Sequence, residues 1–192
     1  MILKLFCWWF KLQGWKIGEN IPEEIKKCVV IGAPHTSNWD FVFTLAAFKF
    51  FGVELNYLAK KELFWWPLSI VLKKTGAISI ERSKKNNAVE EFIEIFERKE
   101  KMILVFPAEG TRKAVTKWKT GFYHVALGAN VPVFLAYLDY KNKIAGFGKP
   151  LYLSGNIEQD FAKIKAFYKD IMPKNPECFN IDGIRPFAPN KK

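Results

Sequence analysis

Histidine and cysteine are scarce in this chain of 192 residues: His35 and His124, then Cys7, Cys28 and Cys178. Three widely spaced cysteines without a CxxC pair argue against a disulfide framework and a zinc site, and they fit a reducing compartment. Two histidines are too few for a His-rich metal centre. No GK[ST] is present, so there is no Walker loop, and no G-x-S-x-G elbow supplies an enzyme nucleophile. Repeats and low-complexity linkers are also missing. A spanning helix needs about 20 apolar residues, and the most apolar stretch, residues 1–17 (MILKLFCWWFKLQGWKI), is interrupted by Lys4 and Lys11. That stretch also lacks the small-residue cleavage site of a signal peptide.

Acidic residues are few beside the basic ones. Thirty Lys and Arg against nineteen Asp and Glu leave a net charge of +11, which draws the protein to polyanions. Nucleic acid, an anionic membrane and phosphorylated substrates all satisfy that attraction. No RNA- or DNA-binding signature is present, and the tryptophans stand among apolar neighbours rather than basic ones, so nucleic acid is not an expected partner.

What is present is an alternation of strand-like and helix-like segments. Residues 1–17 read as an amphipathic helix. Lys4 and Lys11 share one face, and Ile2, Leu5, Phe6, Trp9 and Leu12 form the opposite band. Trp8 and Trp15 lie near its margins. Such a helix suits the plane of a membrane interface; packing on the domain's own core is the other reading. Cys28 to Gly32 is a short β-branched strand, and Trp39 to Phe51 a helix apolar on nearly every face, hence buried. Strands follow at Leu55 to Ala59 and Ala77 to Ile80, with the Trp-rich segment Leu63 to Leu72 between them. Val89, Phe92, Ile93 and Phe96 give a helix at i, i+3, i+4 and i+7. Met102 to Phe106 is a buried strand, and Phe122 to Ala129 a helix. Val131 to Leu138 is a strand, and Lys143 to Leu153 forms one or two edge strands. Asn156 caps a final helix carrying Ile157, Phe161, Ile164 and Tyr168. The expected fold is therefore a single α/β domain with a mixed, largely parallel sheet flanked by helices. Its expected division is an interfacial helix (1–17), the domain proper (18–172) and an extended C-terminal tail (173–192).

In such sheets sites gather at the carboxyl ends of strands, which directs attention to three loops. After the first strand comes Pro34-His35-Thr36-Ser37-Asn38-Trp39-Asp40. A carboxylate on one imidazole nitrogen fixes the tautomer and leaves the other nitrogen free to accept a proton. With no enzyme nucleophile, the missing partner is a hydroxyl of the substrate; the alternative is that His35 and Asp40 only cap a strand and a helix. The second loop is Gly76-Ala77-Ile78-Ser79-Ile80-Glu81-Arg82, followed by Ser83-Lys84-Lys85, where an arginine just before a helix start can bind phosphate; standing alone, Arg82 would read as one more surface cation. The third is Phe106-Pro107-Ala108-Glu109-Gly110-Thr111-Arg112, with Gly110 for a turn, Thr111 for a hydroxyl and Arg112 for a bidentate anion contact.

In order and approximate spacing, these blocks resemble the glycerolipid acyltransferases typified by bacterial 1-acylglycerol-3-phosphate acyltransferases. His35 to Asp40 is similar to the family's H-x4-D block, Gly76 to Arg82 to its G-x-I-x-I-x-R block, and Glu109 to Arg112 to its P-E-G-T-R block. Val131-Pro132-Val133 matches the short V-P-[VI] block that follows. The resemblance runs from about Val29 to about Leu138 and implies a glycerol-3-phosphate acyltransferase-like fold. It implies that His35 is the general base, that Asp40 orients it, and that Arg82, Glu109, Gly110, Thr111 and Arg112 hold the acceptor's phosphate and glycerol. The implied donor is acyl-CoA or acyl-ACP as co-substrate, with no cofactor and no metal. The implied acceptor is a lysophospholipid such as 1-acylglycerol-3-phosphate. The enzyme would work at the cytoplasmic face of an anionic membrane, as a peripheral protein of phospholipid biosynthesis.

One departure from the family's pattern is Ala108 where proline usually precedes the glutamate. His124, on a helix with no motif around it, reads as a surface or packing residue. Another lysolipid as acceptor, or a relative that binds lipid or anion without catalysis, remains the alternative.

Overall fold

Six helices and seven strands of the computed structural model, which describes residues 2–80 and 88–186, alternate along the chain. They are α1 (Ile2–Leu12), β1 (Lys16–Ile17), β2 (Lys27–Gly32), α2 (Asn38–Phe51), β3 (Leu55–Lys60), α3 (Leu68–Lys74), β4 (Ala77–Ile80), α4 (Ala88–Arg98), β5 (Met102–Phe106), α5 (Gly121–Gly128), β6 (Val133–Asp139), β7 (Ile144–Phe147) and α6 (Ile157–Tyr168). The sheet runs β1-β7-β6-β2-β5-β3-β4. Every pairing is parallel except β6 with β7. This is the expected mixed, largely parallel sheet, and a single domain holds it.

The side chains of β2 show why helices cover both faces. Successive residues point to opposite sides of a strand, so Val29 and Ile31 enter a core with Phe92, Phe96, Phe122 and Phe161 from α4, α5 and α6. Cys28 and Val30 enter the opposite one, with Leu45 and Phe48 of α2. Burying each such phenylalanine contributes roughly 1.5–3 kcal/mol. The all-round apolar character of α2 follows from its place: the sheet lies under it, and α1 packs on its other side through Phe10, which meets Phe43, Ala46 and Ala47.

Helix α1 departs from the expected arrangement. It ends at Leu12, and Lys16–Ile17 instead form a short strand on β7. The face it buries carries Leu3, Phe6, Cys7 and Phe10, while Leu5, Trp8 and Leu12 are each 58% exposed alongside exposed Lys4 and Lys11. The reason is angular. At roughly 100° per residue, Trp8 falls on the lysines' own side and Leu5 and Leu12 border it. Trp15, expected at a margin, is buried against Phe10, Phe43 and Tyr140. The residues after Pro173 carry two short 3-10 turns and bury Ile184.

Candidate active site

The loops after β2 and β5 come together because these two strands are parallel neighbours, Ile31 lying opposite Phe106 at their carboxyl ends. The first loop is closed by a capping box at the start of α2. Ser37 Oγ accepts from the Trp39 N–H, and Asp40 reaches back to the Ser37 N–H. Asp40 does more than cap. Its Oδ2 accepts from the N–H groups of Thr36 and Ser37, both at 2.8 Å, and lies 3.2 Å from His35 Nδ1. Its Oδ1 accepts from Tyr140 Oη at 2.6 Å. Burial works to raise the carboxyl's pKa, and the bonds from His35, Tyr140, Ser37 and Thr36 outweigh it, holding the group below the usual aspartate value. Asp40 is therefore an anion beside Nδ1, which leaves proton acceptance to Nε2.

Glu109 approaches the same histidine from the other side. Gly110, at φ 68, closes a turn by donating its N–H to Pro107 O at 2.9 Å. This turn buries Ala108 and Glu109 and leaves Thr111 and Arg112 exposed. Glu109 Oε2 accepts from the backbone N–H of His35 at 2.7 Å. Burial first, and the nearby Asp40 charge after it, push the Glu109 carboxyl up to about 8 despite that bond. A side chain on residue 110 would be strained at this φ, and its Cβ would stand 2.5 Å from Lys119 Cε. Glycine there lets Lys119 lie against the turn. The loop thus sets cationic side chains at the strand ends, where an anion is favoured.

Of the sequence-derived residues, the structure gathers His35, Asp40 and Glu109 into one bonded cluster. Gly110, Thr111 and Arg112 continue the same loop at the surface, and Arg82 lies outside the described residues. Among the described residues no group of His, Cys, Asp and Glu is placed to hold a metal ion. His124 is exposed on α5, edge-on to Tyr123. The sequence reading missed three contributors. Tyr140, just past the end of β6, fixes Asp40. Asn175 of the tail donates its side chain to Thr36 O at 2.8 Å and its N–H to Thr36 Oγ1 at 3.2 Å. Tyr168 braces the strand ends by donating to Ile31 O or Ala136 O. Only Tyr140 carried a usable signal, a polar residue directly after a strand's carboxyl end.

His35 and Asp40 also line a cavity of about 440 Å³ between α2 and the sheet. Phe48, Phe51, Leu55 and Phe147 line it further on, and its surface is overwhelmingly apolar. A polar pair therefore faces an oily cavity, an arrangement suited to a reaction at the head of a long hydrocarbon chain.

Fold and site together define an α/β enzyme with a histidine–carboxylate pair at the carboxyl end of a parallel sheet. Residues 16–137 match the family model described as Acyltransferase. The chain belongs to that acyltransferase family and is an acyltransferase. Its fold is similar to the crystal structure of the 1-acyl-sn-glycerophosphate (LPA) acyltransferase PlsC from Thermotoga maritima. That likeness has a TM-score of 0.60 at 19% sequence identity and covers 88% of this chain and 75% of the other. No curated protein matches the chain.

Proposed function

We propose that the chain transfers a fatty acyl group from acyl-CoA or acyl-ACP to the free hydroxyl of a lysophospholipid such as 1-acylglycerol-3-phosphate. The observation that carries this reading is the His35–Asp40 pair lining a large apolar cavity. His35 Nε2 takes the proton of the acceptor hydroxyl as its oxygen attacks the thioester carbonyl. Asp40 stabilises the imidazolium that forms. The tetrahedral adduct then expels the thiolate, which recovers the proton from His35, so no acyl-enzyme forms and no cofactor is needed. The acyl chain occupies the cavity under α2. Thr111 and Arg112, with Arg82, hold the acceptor's phosphate. Glu109 positions His35 through its backbone.

The acceptor is a lipid, which favours work at a membrane surface. No described helix is long and apolar enough to cross a membrane. The outer stripe of α1, with Leu5, Trp8 and Leu12 exposed beside Lys4 and Lys11, suits the interface, where apolar and cationic side chains both gain. We take the attachment to be peripheral and at the cytoplasmic face, a reading that this stripe and the free cysteines support.

The test is acyl transfer from acyl-CoA and acyl-ACP to a panel of lysolipids, comparing the wild type with His35→Ala. The expected result is diacyl product from a phosphate-bearing lysolipid, with a loss of roughly 10²–10⁴ in rate in the variant. Folded wild-type protein that forms no product with any pair would overturn the reading.

A further inference from the structure

Beside the Asp40–Tyr140 hydrogen bond lies a second pocket, of about 300 Å³, whose lining includes neither His35 nor Asp40. Its walls are Trp9 of α1, Gln13 just past the end of that helix, Trp39 from the first turn of α2, and Tyr140. Buried Trp15 and Phe43 also line it. Trp9 and Trp39 stack with ring centroids 6.0 Å apart, and Trp15 stands edge-on to Tyr140 at 4.9 Å.

Two lysines reach this aromatic surface from distant parts of the chain. Lys143 closes the β6–β7 turn at φ 53, a conformation that side-chain-bearing residues seldom adopt. The Asp139 carboxylate fixes the turn by accepting from the N–H groups of Lys141 and Asn142, and Lys143 Nζ donates to Gln13 O at 2.9 Å. Lys174 is brought in by its neighbour Asn175, which is bonded to Thr36. Its Nζ stands 5.2 Å from the centre of the Trp39 ring. No Asp or Glu lines the pocket, and neither lysine is in an ion pair among the described residues. An ammonium carries three donors. Two lysines lining an aromatic pocket, Lys174 over the Trp39 ring and Lys143 on Gln13 O, with no carboxylate in its lining, suit a phosphate joined to a less polar body.

The direction of approach selects the ligand. Helix α1 supplies Trp9 to the pocket, and Gln13 follows just past its end, while Leu5, Trp8 and Leu12 turn outward. The pocket and the stripe thus share one helix, with Trp9 of the pocket wall adjoining exposed Trp8 of the stripe. We propose that the pocket binds the phosphate of an anionic phospholipid of the bilayer surface between Lys143 and Lys174, with its glyceryl portion over Trp39. This lipid is not the one acylated at His35. It anchors the tail and the first turn of α2, and so docks the active site on the membrane. The proposal rests on the interfacial reading of α1 above.

The experiment is cosedimentation with vesicles of phosphatidylcholine alone and of phosphatidylcholine mixed with phosphatidylglycerol, at low salt. Wild type is compared with Lys143→Gln/Lys174→Gln and with Lys99→Gln/Lys101→Gln. The latter pair is exposed beside the amino-terminal end of β5, the opposite end of the strand from the site, and carries the same change in charge. The pocket variant is expected to lose about thirtyfold of the preference for anionic vesicles, and the control variant to keep it. Equal losses in both variants would overturn the pocket and leave the interfacial reading standing. A raised KM for acyl-CoA with vesicle binding intact would reassign the lysines to the donor and overturn the proposal. Wild type that sediments with neither kind of vesicle would sink the interfacial reading and the pocket with it.

Discussion

Glu109 Oε2 accepts the backbone N–H of His35 at 2.7 Å, across 74 residues of sequence. Two carboxyl groups therefore hold one histidine, Asp40 at the ring and Glu109 at the main chain. In Glu109→Ala the partly buried N–H loses its acceptor, a cost of about 1 kcal/mol, and the ring is free to drift. A shift of about 1 Å at a reacting group can cost on the order of a hundredfold. The expected outcome is a kcat lowered by roughly ten- to a hundredfold, with little change in acceptor KM. Glu109→Gln, which keeps an acceptor oxygen, should retain most of the activity. A raised acceptor KM at unchanged kcat would instead place Glu109 on the acceptor.

The same residue predicts how stability depends on pH. Its folded-state pKa is raised from the ordinary 4.5 to about 8, so between those values the folded state binds more protons than the unfolded one. Stability must then fall as pH rises through that window, and the slope from this one group is at most roughly 1.4 kcal/mol per pH unit. Urea unfolding from about pH 5 to about pH 9 should show the decline in wild type and a flatter profile in Glu109→Gln. Parallel profiles for the two proteins would show that Glu109 ionises without penalty.

Tyr140 donates to the oxygen of Asp40 that His35 does not use, at 2.6 Å. Burial first, then the Asp40 bond and charge, push the phenol's own pKa far above the ordinary tyrosine value, so it remains a donor at every working pH. Removing it in Tyr140→Phe concentrates the carboxylate's charge on the histidine side. His35 should then hold its proton more tightly, and the acidic limb of kcat/KM should move to higher pH. A simple drop in kcat with an unmoved limb would assign Tyr140 to packing alone.

How much of this was legible in the sequence depended on the range of the interaction. The His35–Asp40 pair lies within one loop, so a strand end, a five-residue spacing and a helix start were enough to join them. The Asn156 cap was equally local, its side chain accepting from Gln159 N. Glu109 was visible as a candidate, but its target was not: nothing in Glu109-Gly110-Thr111-Arg112 says that the carboxylate turns inward while Thr111 and Arg112 turn out. Tyr140 meets Asp40 across 100 residues and Asn175 meets Thr36 across 139, distances at which no periodicity survives. The face of α1 was misjudged for a related reason. With lysines, leucines and tryptophans spread around it, the burial of Phe10 and the exposure of Trp8 were decided by α2, not by the helix itself.

The cavity under α2 makes the last prediction. Ala47 is 3% exposed and lines it, so a larger side chain at that position must project into the space or displace α2. In Ala47→Leu the added atoms shorten the room for hydrocarbon, and overpacking costs about 1–3 kcal/mol, which the domain can bear. Phe51→Ala works in the opposite sense by adding volume among Phe48, Leu55 and Phe147. Across a series of saturated acyl-CoA donors, the optimum in kcat/KM should move to shorter chains in the first variant and to longer ones in the second. Because each methylene seated in an apolar site is worth about 0.8 kcal/mol, a change of two methylenes should alter the ratio of rates by roughly tenfold. An optimum that stays put in both folded variants would mean that the acyl chain lies elsewhere.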